Sequence, residues 1–195
     1  MKRSRVFSRG SFLYPLASVL LILTLLLLFS ACNTNNSTTP TNSSTSSTTN
    51  PPGNILEFED YPIDFGMEYI NVPTHIYVMS SINSPLPNEV LYVSPETQAD
   101  LNSFEFPRYF ILFAFMGSQT LTGPSIKVTQ IWQIDNTIYI EAFFDKGGPT
   151  YQPAYSLPCD IVKVSKENMT QFGEITFILL DQFGEERASA VYNIN

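Results

Sequence analysis

Histidine is almost absent from this sequence: His75 is the only one in 195 residues. Enzymes that hydrolyse or transfer groups commonly need a base poised near neutral pH beside a nucleophile or a metal. His75 sits in THIYVMS with no serine or cysteine motif around it, and is expected to be a partly buried or surface strand residue. The chain also lacks a Gly-x-Ser-x-Gly elbow, a His-Glu-x-x-His pair, a phosphate-binding loop and a His/Cys pair at zinc spacing. These absences argue against an enzyme, and no catalytic residue, metal or cofactor is expected.

Basic residues are scarce too, and four of the ten, Lys2, Arg3, Arg5 and Arg9, fall in the first nine positions. They precede an apolar run from Val19 to Phe29, and Ser30 and Ala31 then lead to Cys32. That order is a charged start, a greasy core and a small-residue cleavage site, as in secretory signals. The stretch LLFSAC resembles the lipobox of bacterial lipoprotein signals, with Phe29 where that family usually has leucine. The resemblance implies that residues 1–31 are a signal peptide, that Cys32 is lipidated, and that the chain is anchored outside the cytoplasm to a bacterial membrane. The alternative is an uncleaved signal anchor, since LASVLLILTLLLLF is near the short limit for a span. Either way the folded part lies on the same side.

Cysteine is the next shortage. With Cys32 carrying lipid, only Cys159 remains, so no disulfide framework is available. A lone cysteine in LPCDIVKV reads as a small buried hydrophobe rather than a nucleophile. Loss of residues 1–31 would leave six basic against eighteen acidic residues, a net charge of −12 in place of −8. That balance argues against nucleic acid and anionic lipid surfaces as partners.

Residues 33–53, NTNNSTTPTNSSTSSTTNPPG, contain no aliphatic, aromatic or charged side chain. Nothing there offsets the entropy of ordering, so residues 32–53 are expected to be a lipidated cysteine followed by a disordered tether. A flexible chain of that length reaches about 25 Å on average. Residues 54–195 form one β-rich domain in this reading.

Within it, short apolar segments alternate with polar residues and are cut by Gly, Pro, Asn and Asp. The expected fold is mainly β, an antiparallel sheet or sandwich-like domain with one short helix over about 94–104. Candidate strands are ILEFE, THIYVMS and PLPNEVLYV. Ser94 can cap the helix, Pro95 suits its first position and Glu96 its positive end, with Ala99, Leu101 and Phe104 as the packed side. YFILFAFM, 109–116, is apolar on both parities and predicts a central strand covered on both faces. In SIKVTQIWQI the apolar parity slips between Val128 and Ile131, predicting a bulge near Thr129 and Gln130. Asp135-Asn136 turns the chain into TIYIEAFFD, where Ile138, Ile140, Ala142 and Phe144 share a face. The loop KGGPTYQPAYSLP leads to CDIVKVSK, and a final hairpin EITFILLD–RASAVYNI turns at Gly184. Gln-Phe-Gly-Glu occurs at 171–174 and 182–185, read as two similar turns rather than a repeat.

The order of a polar helix (SPETQADLNSF), a hydrophobic strand ending in Gly (FILFAFMG), a Thr-Gly turn, two hairpin strands, a proline-containing loop and a last strand ending in Lys (PCDIVKVSK) resembles the PrcB C-terminal-like family. The likeness spans residues 94–166. It implies a small, mainly β domain of exported bacterial lipoproteins, with an accessory role toward a surface protease and no catalytic residues to carry over. Thr122-Gly123-Pro124-Ser125 stands where the family more often has a Gly-Gly-Tyr-like turn.

Two sets of residues stand out as candidate sites. Thr122, Gly123 and Pro124, then Gly147, Gly148 and Pro149, with Tyr151 and Tyr155, and with Gly117 and Trp132 nearby in sequence, suit a binding surface of aromatics beside rigid loops. The competing reading is that the aromatics fill the core and the glycines only turn the chain. Glu57, Glu59, Asp60 and Asp64 could hold a hard cation or form a solvated acidic edge. The favoured function is a membrane-tethered, non-enzymatic domain that binds a protein partner, supporting or restraining a surface protease. The Thr-Gly, Gly-Gly-Pro and Phe-Gly-Glu turns loosely resemble the three loops of chagasin-type protease inhibitors. A carbohydrate-binding or glycan-processing domain using Glu141 and Asp145 is the remaining alternative.

Overall fold

A computed structural model of the chain describes residues 52–67, 71–148 and 153–195. The expected signal peptide, Cys32 and nearly all of the tether lie outside these residues, as do Pro149 and Tyr151. Among the described residues no helix is long and apolar enough to cross a membrane.

The described chain is mainly β with one helix. Its thirteen strands are β1 (Asn54–Ile55), β2 (Phe58–Asp60), β3 (Phe65–Met67), β4 (His75–Met79), β5 (Val90–Val93), β6 (Tyr109–Phe115), β7 (Gln119–Leu121), β8 (Ser125–Ile134), β9 (Thr137–Asp145), β10 (Pro153–Ser156), β11 (Cys159–Ser165), β12 (Gly173–Leu180) and β13 (Glu186–Ile194). A five-stranded sheet, β1-β8-β9-β12-β13, faces a four-stranded sheet, β2-β11-β6-β4, and two ribbons, β3-β5 and β7-β10, complete the set.

Strand β6 shows why these layers form. Its side chains from Phe110 to Phe115 have no exposed surface. Phe110, Leu112 and Ala114 join Ile138, Ile140, Phe177 and others in the core between the sheets. Ile111, Phe113 and Phe115 point the other way, into a second cluster with Met79, Leu101, Phe106 and Leu157. A strand apolar on both parities needs a cover on each side, and here one is a sheet and the other a layer of helix and loops.

The helix α1 (Pro95–Ser103) supplies part of that cover, with Ser94 accepting the N–H of Thr97 and Pro95 in the first turn. Leu101 is buried as expected, but Ala99 faces solvent and Thr97 takes its place. The reason is polar: the Thr97 hydroxyl donates to the Asp64 carbonyl (3.0 Å) and accepts the Asp64 N–H (2.9 Å), tying α1 to the segment before β3.

ILEFE is not one strand. Leu56 is buried, its N–H donates to Ile131, and the chain crosses there from the larger sheet to the smaller, where Glu57 accepts the N–H of Ser165. The bulge in β8 is present, with the register slipping between Val128 and Gln130. It carries a link between the sheets. The Val128 N–H donates to Asp160 Oδ2 on β11 (2.7 Å), and Lys127 reaches both Asp160 (3.4 Å) and Asp60 (2.5 Å).

The turn at Asp135 is the only described non-glycine position with positive φ, 50°. All described pairings are antiparallel except β9 with β12, which run parallel from Thr137↔Thr176 to Glu141↔Leu180. The expected loop between Lys146 and Pro158 contains β10, paired with β7.

Candidate functional site

Because β9 and β12 run parallel, their C-terminal ends point the same way: β12 stops opposite Glu141, four residues before β9 ends, and Gln182 carries the following turn up to Phe144, which sets the location of the site. Strand β8 begins opposite the end of β9, at Ser125↔Asp145. The turn before β8, the chain after β9 and the turn after β12 therefore leave the same end of the five-stranded sheet. Thr122-Gly123-Pro124, Lys146-Gly147-Gly148 and Gln182-Phe183-Gly184-Glu185 are brought together there, and the β7-β10 ribbon with Tyr155 hangs from the first of them.

The backbone of each turn has a local cause. Gly123 and Gly147 hold φ of 106° and 75°, values that disfavour a β-carbon. The Gly147 N–H donates to Asp145 Oδ1 (2.8 Å), and Ser156 Oγ donates to the Leu121 carbonyl (3.0 Å). Gln182 spans from its own turn to β9, accepting the Phe144 N–H (3.1 Å).

Thr122 and Gly123 are exposed, whereas Pro124 is buried and immediately precedes β8. Pro124 is thus strand punctuation, with its ring packed and its missing donor placed before the first rung. Gly147 and Gly148 are half-buried, and Tyr155 is 71% exposed. The sequence reading missed Phe183, 80% exposed, and Phe143, 50% exposed, at the same end. The Gly-containing turn was visible at 184; the outward direction of its phenylalanine was not. Trp132 does not belong to the site: it lies buried in β8, stacked on Tyr139 with ring centres 5.5 Å apart.

The acidic residues of the N-terminal segment disperse. Glu59 pairs with Lys163 and Asp60 with Lys127, on adjacent and hence opposite-facing positions of β2. Asp64 lies beyond the strand and engages Thr97 through its backbone. No group of three or more His, Cys, Asp or Glu side chains among the described residues is placed to hold a metal ion. Glu141 and Asp145 are four residues apart along one extended strand, about 13 Å, and glycosidase carboxylate pairs stand about 5–9.5 Å apart.

His75 is half-buried and stacked on Phe115, at 4.4 Å between ring centres. Its Nε2 meets the buried Glu89 at 3.2 Å and its Nδ1 the Pro73 carbonyl at 3.0 Å. Both nitrogens are occupied by structural partners. Cys159 pairs with Phe115 from the opposite side, so His75 and Cys159 lie two strand spacings apart, about 10 Å. Burial, then the charges of Asp160 and Glu89, push the Cys159 thiol well above its ordinary range. A thiol so held is a poor nucleophile near neutral pH.

The same forces give a stability prediction. Burial first, with neighbouring charge second, raises Tyr61, Tyr77 and Tyr192. The hydrogen bond to Asp60 leads the causes that raise Lys127. Each raised group contributes stability that is complete below its unfolded pKa and is lost as pH rises through its folded value. The window opens near pH 8.5 with Cys159 and widens near 10 with the tyrosines and Lys127. Lys166, lowered by burial, acts in the opposite sense, one group against five. Denaturant midpoints are therefore expected to hold from pH 7 to about 8.5 and fall toward 10.5, with Cys159→Ala delaying the onset. A flat or rising profile would contradict this.

Lys166 itself is a clamp: its Nζ donates to the Phe106 carbonyl (2.7 Å) and the Asn195 carbonyl (2.6 Å). It borders an open hollow of about 440 Å³ with Arg108 and Phe172, at the end of β12 opposite the three turns. No protein-family model, curated protein or solved structure matches the chain.

Proposed function

We propose that this chain is an extracytoplasmic lipoprotein, tethered to a bacterial membrane through Cys32, whose β domain binds a protein partner without catalysis. One observation carries the reading: the glycine-containing turns at Gly123 and Gly184 and the start of the segment after β9, residues 146–148, leave the same end of the sheet, where Tyr155, Phe143 and Phe183 are exposed. Exposed aromatic side chains held by strands and a fastened turn make low-entropy contact surfaces. The absence of catalysis is supported by the occupied nitrogens of His75, the protonated thiol of Cys159 and the separation of Glu141 from Asp145.

The resemblance of residues 94–166 to the PrcB C-terminal-like family directs the search for a partner toward a surface protease. Affinity capture of the full lipidated chain from its native envelope is expected to return a stoichiometric protein partner. A capture containing only the bait would remove the proposal.

The grouping of the turns favours one further reading, inhibition of a protease in the manner of the chagasin type. Papain-like peptidases unaffected by the protein at micromolar concentration would eliminate it. The glycan-processing alternative is disfavoured by the spacing of Glu141 and Asp145 on β9, about 13 Å, too far for a glycosidase acid pair.

A further inference from the structure

We infer that Phe183 is the anchor of the binding end, held out by a pre-formed turn to enter an apolar pocket of a protein whose margin is basic. This rests on the binding reading above and adds the residue and the chemistry of the partner.

The turn is fastened from within. Asp181 is buried, and its Oδ1 accepts the N–H groups of Phe183 (2.9 Å) and Glu185 (3.0 Å). The Asp181 N–H donates to the Glu185 carbonyl (2.9 Å) and the Gly184 N–H to the Asp181 carbonyl (2.9 Å). Gly184 adopts φ of 78°. Gln182 secures the turn to β9 through the Phe144 N–H, and Arg187 lies over the Phe144 ring at 5.7 Å while facing Asp181 at 3.7 Å. All of this order surrounds a phenylalanine that is 80% exposed.

A turn whose own side chains and backbone are satisfied internally has no structural need for an aromatic at its tip. Its rigidity means that little further ordering accompanies docking, which is the property of an anchor residue. Contrast within the chain sharpens the point. The other Gln-Phe-Gly-Glu, at 171–174, places Phe172 beside the Lys166 hollow at 50% exposure. Tyr92 is also exposed, but its ring lies against Gly66, where a β-carbon would come within 2.1 Å of it.

Charge selects the partner. Glu185 and Glu186, exposed beside Phe183, with Asp145 and Asp181, outnumber Lys146 and Arg187, the latter already facing Asp181 and Glu185, and the chain carries −8 overall, −12 once residues 1–31 are removed as expected. A basic rim around an apolar pocket complements this surface, whereas an anionic bilayer repels it.

The test places a benzophenone side chain at Lys146 in the full chain and irradiates cells of the native host. A single protein adduct is expected. It should fall about tenfold or more with Phe183→Ala, fall with Glu185→Lys plus Glu186→Lys, and be unchanged by Phe172→Ala. Purified partner should then bind the Phe183→Ala chain about tenfold more weakly, with unfolding midpoints unchanged because the side chain is exposed. An adduct undiminished by Phe183→Ala overturns the anchor while leaving a binding end. An adduct with lipid or glycan overturns the protein partner. If crosslinkers at Lys146 and at Tyr155 both yield no adduct, the binding reading falls as well.

Discussion

Phe110→Ala and Phe113→Ala are each expected to lower the unfolding free energy by about 3–5 kcal/mol, although they sit on opposite faces of one strand. Phe110 lies between the sheets, edge-on to Phe177 at 5.8 Å. Phe113 lies in the second cluster, edge-on to Tyr77 at 6.0 Å and stacked with Phe115 at 6.2 Å. Both are fully buried, so each truncation removes apolar contact and leaves a cavity that close-packed neighbours only partly fill. Urea unfolding at constant slope measures both. If Phe113→Ala cost only about 1 kcal/mol, the layer of α1 and loops would be a loose cover rather than a packed one, and the two-faced pattern of β6 would need another cause.

That pattern was legible in the sequence because burial on both sides leaves its mark on every residue from Tyr109 to Met116. The slip at Thr129 and the turn at Asp135 were legible for a related reason: each interrupts a period of two, and a single interruption is easy to place. The ribbons were not. Strands β3 and β7 have three residues each and β10 four, too few for a period to show, and their pairing partners are remote in sequence. The parallel pairing of β9 with β12 is likewise invisible locally, because either direction would bury Ile138, Ile140, Phe177 and Leu179.

The site divides along the same line. Glycines and Pro124 marked the turns, since backbone conformations that exclude side chains dictate residue type. What the sequence could not reveal was that three turns from distant segments share one end, which follows from the parallel pairing. Nor could it reveal Asp181 as a buried organiser. An aspartate in LLDQFGE looks like any polar turn residue until both N–H groups it accepts are placed. Gln133 is a similar case: it is buried beside Ile131 because its amide bonds the Gln171 carbonyl (3.0 Å) and the Thr170 N–H (2.8 Å), not because it is apolar.

Gly117→Ala should be about as damaging as a core truncation, near 3 kcal/mol, for reasons that a second glycine can separate. Gly117 has φ of 86°, a region that costs a residue bearing a β-carbon about 1–2 kcal/mol. A β-carbon there would also meet the Thr74 nitrogen at 2.7 Å and the Pro73 carbonyl carbon at 2.9 Å, so backbone must move. The surroundings resist: Ser118 donates its N–H to the Val72 carbonyl (2.9 Å) and accepts the Val72 N–H on its hydroxyl (2.8 Å), while the Thr74 hydroxyl donates to Met116 (2.8 Å). Displacement would spread to His75 and its contact with Glu89 at the start of β4. Gly184 has a similar φ, 78°, but nothing within 4 Å of its would-be β-carbon, so Gly184→Ala should show the conformational cost alone, about 1 kcal/mol. Equal losses from the two substitutions, measured by denaturant unfolding, would mean that the close approach at Gly117 contributes nothing and that the junction between β6 and β4 yields freely.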